Sequence, residues 1–408
     1  MKNKRVIIIG GGAGGFFAAI NLKEKKPNYN VSILEQTNTL LKKVKISGGG
    51  RCNVTHSCFE VEELIKNYPR GEKELLGAFY QFQPQDMIEW LKKRGVKTKT
   101  EADGRMFPIS DDSQTIIDCF LAEARKLNID IQKGCAVEKL IPPTEETHQK
   151  WKIQIKNKPN LEADALIVAT GSQPKSWKML TDLGHSISNP VPSLFTMDVK
   201  NDARLKDMAG VSVSNGAVWA KDTKLNIENG AVLVTHWGLS APAVLRLSAW
   251  GARELADKNY KFEMGVNWIE DTPKNTLKIL KAHREEWRKK QIGTISPFDI
   301  PNRLWKKLVE AAKIDPTTHW ASLSNNQLEN LTNELTQGIF QVNGKSTYKD
   351  EFVTCGGISL SEVDFKTMES KILPNLYFTG EVLDIDAITG GFNFQAAWTT
   401  AWIAAQNI

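Results

Sequence analysis

Six residues near the N-terminus, Gly10-Gly11-Gly12-Ala13-Gly14-Gly15, have the spacing that holds a dinucleotide by its pyrophosphate. Glycines let the backbone approach the phosphates, and the helix that follows turns unpaired N–H groups and a partial positive charge toward them. Glu35, 20 positions beyond Gly15, stands where a carboxylate accepts hydrogen bonds from ribose hydroxyls; an acid there disfavours a 2′-phosphate. A second glycine run, Ser47-Gly48-Gly49-Gly50-Arg51-Cys52-Asn53, follows Lys42, Lys43 and Lys45 and adds donors from Arg51 and Asn53 beside a freed backbone. A flexible surface loop is the plainer account of it. For moving a proton the chain offers Cys52, whose neighbour Arg51 is expected to lower the thiol pKa, with His56 and His236 as further donors. Each of the three has an ordinary alternative as a buried cysteine or a hydrogen-bonded structural histidine. No nucleophile is assigned.

The elements that must position these groups follow from the apolar patterning. Val6-Ile7-Ile8-Ile9 reads as a strand, Phe16 to Lys25 as an amphipathic crossover helix, and Val31-Ser32-Ile33-Leu34 as a second strand ending at Glu35. Strand, turn, helix and acid in register separate this block from a glycine turn that serves packing alone. Ala165-Leu166-Ile167-Val168 followed by Ala169-Thr170-Gly171 predicts a buried central parallel strand whose C-terminal end faces the ligand. Leu376-Tyr377-Phe378-Thr379-Gly380-Glu381 and Thr389-Gly390-Gly391-Phe392-Asn393 return the chain to the same site. Glu381 suits ribityl hydroxyls, and the helix after Gly391 aims N–H groups at the pyrimidine edge of a flavin, where negative charge gathers on reduction. Together these blocks point to a bound flavin. Plain packing of that helix on the sheet is compatible with this reading.

At 408 residues, 41% hydrophobic and 25% charged, the chain can bury a large core and is expected to form two or three domains. Between Val191 and Gly344, short alternating stretches (Ser212-Val213-Ser214, Ala217-Val218-Trp219-Ala220, Ala231-Val232-Leu233-Val234) predict antiparallel strands, and Pro273 to Leu331 reads as polar and helical, so an insertion with a β part and a helical part is expected. No apolar run reaches membrane-span length, and Met1-Lys2-Asn3-Lys4-Arg5 leads straight into the first strand rather than a cleavage region, so a cytoplasmic location is expected. Five scattered cysteines, an odd number without CxxC spacing, argue for reduced thiols and against a zinc site. The net charge of +6 permits an anionic partner such as RNA without demanding one.

Ser47 to Asn53, Gly104-Arg105-Met106-Phe107-Pro108, Thr235-His236-Trp237-Gly238-Leu239-Ser240, Thr367-Met368-Glu369-Ser370-Lys371, and Gly380-Glu381-Val382-Leu383-Asp384 through Gln395-Ala396-Ala397-Trp398 occur in order along the chain. This set resembles the BaiN/RdsA family of NAD(P)/FAD-dependent oxidoreductases, also labelled aminoacetone oxidase family FAD-binding enzymes. The resemblance implies an α/β fold: a Rossmann-like FAD-binding domain of the glutathione-reductase type (1–190 and 347–408), interrupted by a β-barrel-like domain (191–270 with 335–346) and a small helical domain (271–334). It implies FAD contacts from Gly10, Gly12, Gly15, Glu35, Lys42, Gly49, Arg51, Cys52, Asn53, Thr170, Gly171, Gly380, Glu381, Gly391, Phe392 and Asn393. The candidate cofactor set also takes in Ala13, Gly14, Gln36, Gly48, Gly50, Val137, Ala169, Asp384, Gly390 and Ala396. Two features depart from the family pattern. Only Ser172 to Asp182 separates the Ala-Thr-Gly turn from Leu183-Gly184-His185, which puts a substrate contact from that loop in doubt, and Ala387 stands where glycine is common.

No second strand-GxGxxG-helix unit occurs, so NAD(P)H is expected to visit the flavin transiently, with ping-pong kinetics. Family members are associated with dihydrouridine formation in large-subunit ribosomal RNA, reduction of steroid enones and amine oxidation. The leading expectation is NAD(P)H-driven reduction of a C=C bond in a uracil ring of ribosomal RNA, which needs a hydride, a proton donor and a hold on an unstacked base. A small-molecule oxidase or enone reductase comes second, and a non-catalytic FAD-binding module third. Lys281, His283, Arg284, Trp287, Arg288, Lys289 and Lys290, then Arg303, Trp305, Lys306 and Lys307, offer a basic, aromatic grip for RNA; a solvated helix with tryptophans packed inward is the alternative.

Overall fold

The computed structural model describes residues 3–144, 150–346 and 353–408. Four consecutive β-branched residues make strand β1 (Arg5–Ile9), which is buried on both faces and therefore central. The chain continues through helix α1 (Ala13–Lys25), β2 (Asn30–Leu34), β3 (Asp130–Gln132), β4 (Ala165–Val168), β5 (Leu376–Phe378) and helix α2 (Phe392–Asn407). These strands form one sheet in the order β5-β4-β1-β2-β3, all parallel, and two short antiparallel strands, Glu369–Ser370 and Val363–Asp364, extend it beyond β5. The C-terminal ends of β1, β2, β4 and β5 therefore share one edge, where ligands bind in doubly wound sheets. Helices α1 and α2 pack on each other, with Phe17 of α1 5.3 Å from Trp398 of α2 between ring centroids. Burying an aromatic ring of this kind contributes about 1.5–3 kcal/mol. Because α2 is apolar nearly all round, it is covered nearly all round.

The chain divides into two compact units, one of Met1–Pro192 with Lys349–Ile408 and one of Ser193–Tyr348. The second unit holds a six-stranded antiparallel sheet in the order Met197–Asp198, Gly238–Ser240, Asn226–Val234, Ser212–Ala220, Lys261–Asn267, Gly338–Asn343. Asp198 N–H donates to the Gly344 carbonyl at 2.9 Å and Met197 bridges Lys345, so the first and last strands meet and the sheet closes as a barrel. Helices Pro273–Glu286, Asn302–Ala311 and Asn325–Thr336 fall between its last two strands in sequence. Trp305 and Trp320 are fully buried among them, and Trp305 Nε1 donates to the Ile292 carbonyl at 2.7 Å. This corrects the expectation that Trp305 stacks on a base: it is core. Among the described residues no helix is long and apolar enough to cross a membrane.

Candidate functional site

The first glycine turn divides into positions that packing requires and one that it does not. Gly10 has φ +116°, and a Cβ there would lie 2.3 Å from the Ala169 carbonyl oxygen at the end of β4; a Cβ on Gly15 would lie 2.0 Å from the Gly10 carbonyl oxygen. A Cβ on Gly14 would lie 3.0 Å from Thr379 Oγ1, just past β5. At Gly12 it would meet no atom within 4 Å. Gly12 is also the N-cap of α1 and supplies no side-chain cap, so the N–H groups of Ala13, Gly14 and Gly15 open the helix without intrahelical partners. Glu35 is fixed beside this turn: Oε2 accepts the Gly11 N–H at 2.8 Å, and Oε1 accepts the N–H and hydroxyl of Thr37, each at 2.8 Å. Oε2 keeps a lone pair for a further donor. Gln36 is exposed next to it, and Cys135 N–H donates to the Glu35 carbonyl at 2.8 Å, which leads half-buried Val137 out of the same corner.

The second glycine run closes a helical segment, Lys42–Gly50, that is broken at Ser47–Gly49; Gly48, Gly49 and Gly50 have φ of +58°, +68° and +84°. Gly49 and Gly50 face open space, as Gly12 does. Lys42 is exposed, while Lys43 makes an ion pair with Glu381. Glu381 also accepts the Thr354 N–H at 3.0 Å, and a Cβ on Gly171, after Ala169 and Thr170, would lie 3.7 Å from its Oε2. Three segments distant in sequence therefore meet at Glu381. Asn53 accepts the Met106 N–H at 3.3 Å and abuts Gly391, whose φ of +94° leaves no room for a side chain against the Thr55 carbonyl at 2.6 Å.

At the start of α2, Gly380 N–H donates to Thr400 Oγ1 at 3.0 Å and Thr379 Oγ1 donates to the Ala397 carbonyl at 3.2 Å; Ala396 is buried beside them. The Asn393 amide grips Ala387 from both sides, accepting its N–H at 3.0 Å and donating to its carbonyl at 3.1 Å. Ala387 is thus held through its backbone. The Asn393 side chain thereby braces that loop, and its backbone N–H lies in the first turn of α2. Several clamps on the loop running from buried Asp384 to Gly390 have no local sequence signal. Arg70 pairs through two nitrogens with the fully buried Asp386, Ile388 N–H donates to the Asn67 carbonyl at 3.0 Å, and Tyr68 OH donates to the Phe392 carbonyl at 2.7 Å.

The three proton-transfer candidates fare differently. Cys52 is fully buried at φ +60°, and burial pushes its thiol up to about 12, against a smaller lowering effect of a hydrogen bond with Ser47. The Arg51 guanidinium points elsewhere, to Glu101 at 2.6 Å and over the Phe107 ring at 3.9 Å. The expected lowering of the thiol pKa by Arg51 is therefore corrected: Cys52 is a protonated thiol at neutral pH. His56 stacks on Phe392 with ring centroids 4.6 Å apart, and its Nε2–H donates to the Asp103 carbonyl at 3.0 Å. Burial, the largest influence, lowers its pKa, so it is neutral at pH 7 and its one N–H is engaged. Its Nδ1 is buried without a partner. In this neutral form His56 presents an acceptor at Nδ1. His236 lies in the second unit, exposed on a turn held by Thr235 Oγ1, which accepts the N–H groups of Trp237 and Gly238 at 3.2 and 3.1 Å.

These residues fit FAD. Open glycine positions at Gly12, Gly49 and Gly50, uncapped starts of both α1 and α2, and the buried, unpartnered Thr170 Oγ1 form a donor-rich cradle, to which His56 Nδ1 adds an unpartnered acceptor. Comparison with known proteins agrees. The HI0933-like protein Rossmann domain family matches residues 4–407. The chain is 29% identical to a ribosomal RNA dihydrouridine synthase of Escherichia coli K12 across 100% of this chain and 98% of that protein. It is 27% identical to a 3-dehydro-bile acid delta(4,6)-reductase of Clostridium scindens across 98% of both. Among solved structures, a 3-ketosteroid-delta4-(5alpha)-dehydrogenase of Rhodococcus jostii RHA1 shares the fold with TM-score 0.51 and 12% identity, over 99% of this chain and 98% of that one. With the cradle complete and the family match running nearly end to end, the chain belongs to the HI0933-like family of FAD-dependent oxidoreductases.

Proposed function

We propose that this oxidoreductase reduces a C=C bond conjugated to a carbonyl, with a uracil ring of ribosomal RNA as substrate and NAD(P)H as electron source. The observation that carries the redox reading is the convergence of the 10–15, 49–53, 169–171 and 380–393 segments on one sheet edge around open glycine positions. The names of both relatives point to one chemistry. Dihydrouridine is uridine with two hydrogens added across a ring C=C next to a carbonyl, and a bile acid delta(4,6)-reductase acts on ring C=C bonds of a 3-oxo steroid.

FAD, when bound, supplies the hydride chemistry. The chain's own residues bind, orient and shield. The first N–H groups of α1 would hold the pyrophosphate, Glu35 the ribose, and Glu381, fixed by Lys43, the ribityl chain. The uncapped start of α2 puts positive potential where negative charge develops. His56 Nδ1, buried without a partner, would offer an acceptor to a bound ring system. For the proton that the second carbon takes up, the buried Cys52 thiol, protonated at neutral pH, is the candidate donor within this unit. Among the described residues the second unit's sheet pairs antiparallel throughout, and alternating use of one site by reductant and substrate is the kinetic scheme we propose.

The experiment is the dihydrouridine content of large ribosomal RNA from cells with and without the gene, by mass spectrometry of nuclease digests. Loss of the nucleoside, restored by the intact gene, supports the RNA reading. Unchanged content with FAD-loaded protein present overturns it and leaves the small cyclic enone, the second reading, which the 27% identity to the bile acid reductase over 98% of both chains favours.

A further inference from the structure

Segment 273–290 carries seven cations, Lys274, Lys278, Lys281, Arg284, Arg288, Lys289 and Lys290, against two carboxylates, Glu285 and Glu286. That is a local excess of five in a chain whose total is +6. The two carboxylates are already used. Glu285 takes Arg288 at 2.6 Å and Arg284 at 3.6 Å, and Glu286 faces His283 at 3.1 Å. Arg284 is further held by the Leu323 carbonyl at 3.2 Å and Asn325 at 3.0 Å. Among the described residues, Lys274, Lys278, Lys281, Lys289 and Lys290 have no ion-pair partner, and all but Lys281 are exposed.

The tip of this segment is rigid. Trp320 N–H donates to the Lys290 carbonyl at 3.0 Å, Ala321 N–H to the Arg288 carbonyl at 3.3 Å, and Ile292 N–H to the Thr318 carbonyl at 2.9 Å, so residues 288–292 lie against 318–321 like a short strand. Buried Trp305 and Trp320 form its floor. Trp287 is half-buried, with His283 stacked 3.9 Å from it and Lys290 5.2 Å from its ring centroid. The aromatic rings are thus engaged with the protein, while Lys289 and Lys290 are presented to solvent and Lys281 is half-exposed, on a backbone that loses little freedom on binding.

We infer that this ledge is a phosphate-gripping contact for RNA, centred on Lys281, Lys289 and Lys290, which binds the backbone and leaves the bases unread. The inference rests on the reading of RNA as substrate and deepens it. Fixed cations without counter-charges match a polyphosphate strand, and their binding releases condensed counterions, so affinity falls steeply with salt. Phosphate contacts position a nucleic acid without specifying sequence.

The test is fluorescence anisotropy of the FAD-loaded enzyme with a labelled single-stranded oligoribonucleotide, titrated between about 50 and 200 mM salt. Each phosphate contact on a single strand contributes about −0.7 to the slope of log affinity against log salt, so Lys281→Gln/Lys289→Gln/Lys290→Gln should make the slope shallower by about 2, with binding about a hundredfold weaker at 0.1 M. Lys73→Gln/Lys92→Gln/Lys93→Gln, which removes equal charge from exposed positions in the other unit, should leave the slope unchanged. Reduction of the bound flavin by NAD(P)H should be the same in both variants and the parent. Equal loss in the control variant, or competition by polyglutamate as strong as that by RNA, would overturn the ledge as an RNA contact. An unchanged slope in the ledge variant would overturn the ledge alone and leave the RNA substrate standing. Absence of salt-dependent RNA binding by the parent would overturn both.

Discussion

Replacing Gly12 and Gly15 separately by alanine should split ligand binding from folding within one turn. Gly12 has φ −91° and ψ −168°, an extended conformation open to alanine, and its Cβ would touch nothing within 4 Å. Gly12→Ala should therefore leave the apoprotein intact or stabilise it by about 0.4–1 kcal/mol, through lower entropy of the unfolded chain. The new methyl occupies the space expected for the pyrophosphate. Losing one charge-assisted N–H bond costs about 1.5–3 kcal/mol, so FAD affinity should fall by about 10- to 150-fold. At Gly15 the Cβ would lie 2.0 Å from the Gly10 carbonyl oxygen, a backbone atom that cannot swing away. Gly15→Ala should cost about 1–3 kcal/mol or more with no ligand present, and about 2–4 °C in Tm per kcal/mol for a unit of this size. Thermal melts of both apoproteins and FAD titrations followed by flavin fluorescence decide the matter. If Gly12→Ala melts as low as Gly15→Ala, or binds FAD like the parent, the open position is not the phosphate cradle.

Native protein at neutral pH should resist iodoacetamide at Cys52 and label there only on unfolding; rapid labelling of that site, read by peptide mass spectrometry, would show that the thiol is neither buried nor held protonated as described. His56 and His185 both have pKa values lowered, chiefly by burial, so below about 6.5 the unfolded chain binds more protons than the folded one and stability should fall as pH drops. The urea midpoint of the parent should decline more between about pH 7 and 5.5 than that of His185→Gln, and equal declines would contradict the assignment. Steady-state kinetics with NAD(P)H and an acceptor should give parallel double-reciprocal lines; an intersecting pattern rules out alternation at one site.

What the sequence made legible is what backbone geometry encodes locally. The strand at Val6–Ile9, the glycine turn and Glu35 are read from adjacent residues, because steric freedom, helix start and strand end all act over a few positions. What pairs over long separations was hidden. Nothing near Arg70 announces Asp386, 316 positions away, and nothing near Lys43 announces Glu381. Adjacency also misled. Arg51 and Cys52 are neighbours in the chain, yet the positive φ of Cys52 turns its thiol into the core while the guanidinium goes to Glu101 and Phe107. The tryptophans of the helical insertion show the same limit: an amphipathic pattern places them on a helix but does not say which one meets water, and Trp305 and Trp320 are the floor of their bundle. The closed barrel was legible only as alternating strands, since its closure depends on Asp198 meeting Gly344.

The interrupted first unit sets an order of events during synthesis. Strand β4 is completed at Val168, but its neighbour β5 begins at Leu376 and α2, which covers α1, at Phe392. At roughly 5–20 residues per second, the ribosome needs about 10–40 s to supply the missing strand. Throughout that interval the fully apolar Ala165–Val168 has an unpaired edge, and α1 lacks the helix that buries Phe17. The barrel unit, encoded in between, is complete earlier. A nascent chain of this protein therefore carries an open β-edge at β4 after the second unit's strands have been made, and aggregation of stalled or truncated chains is expected to begin at that edge.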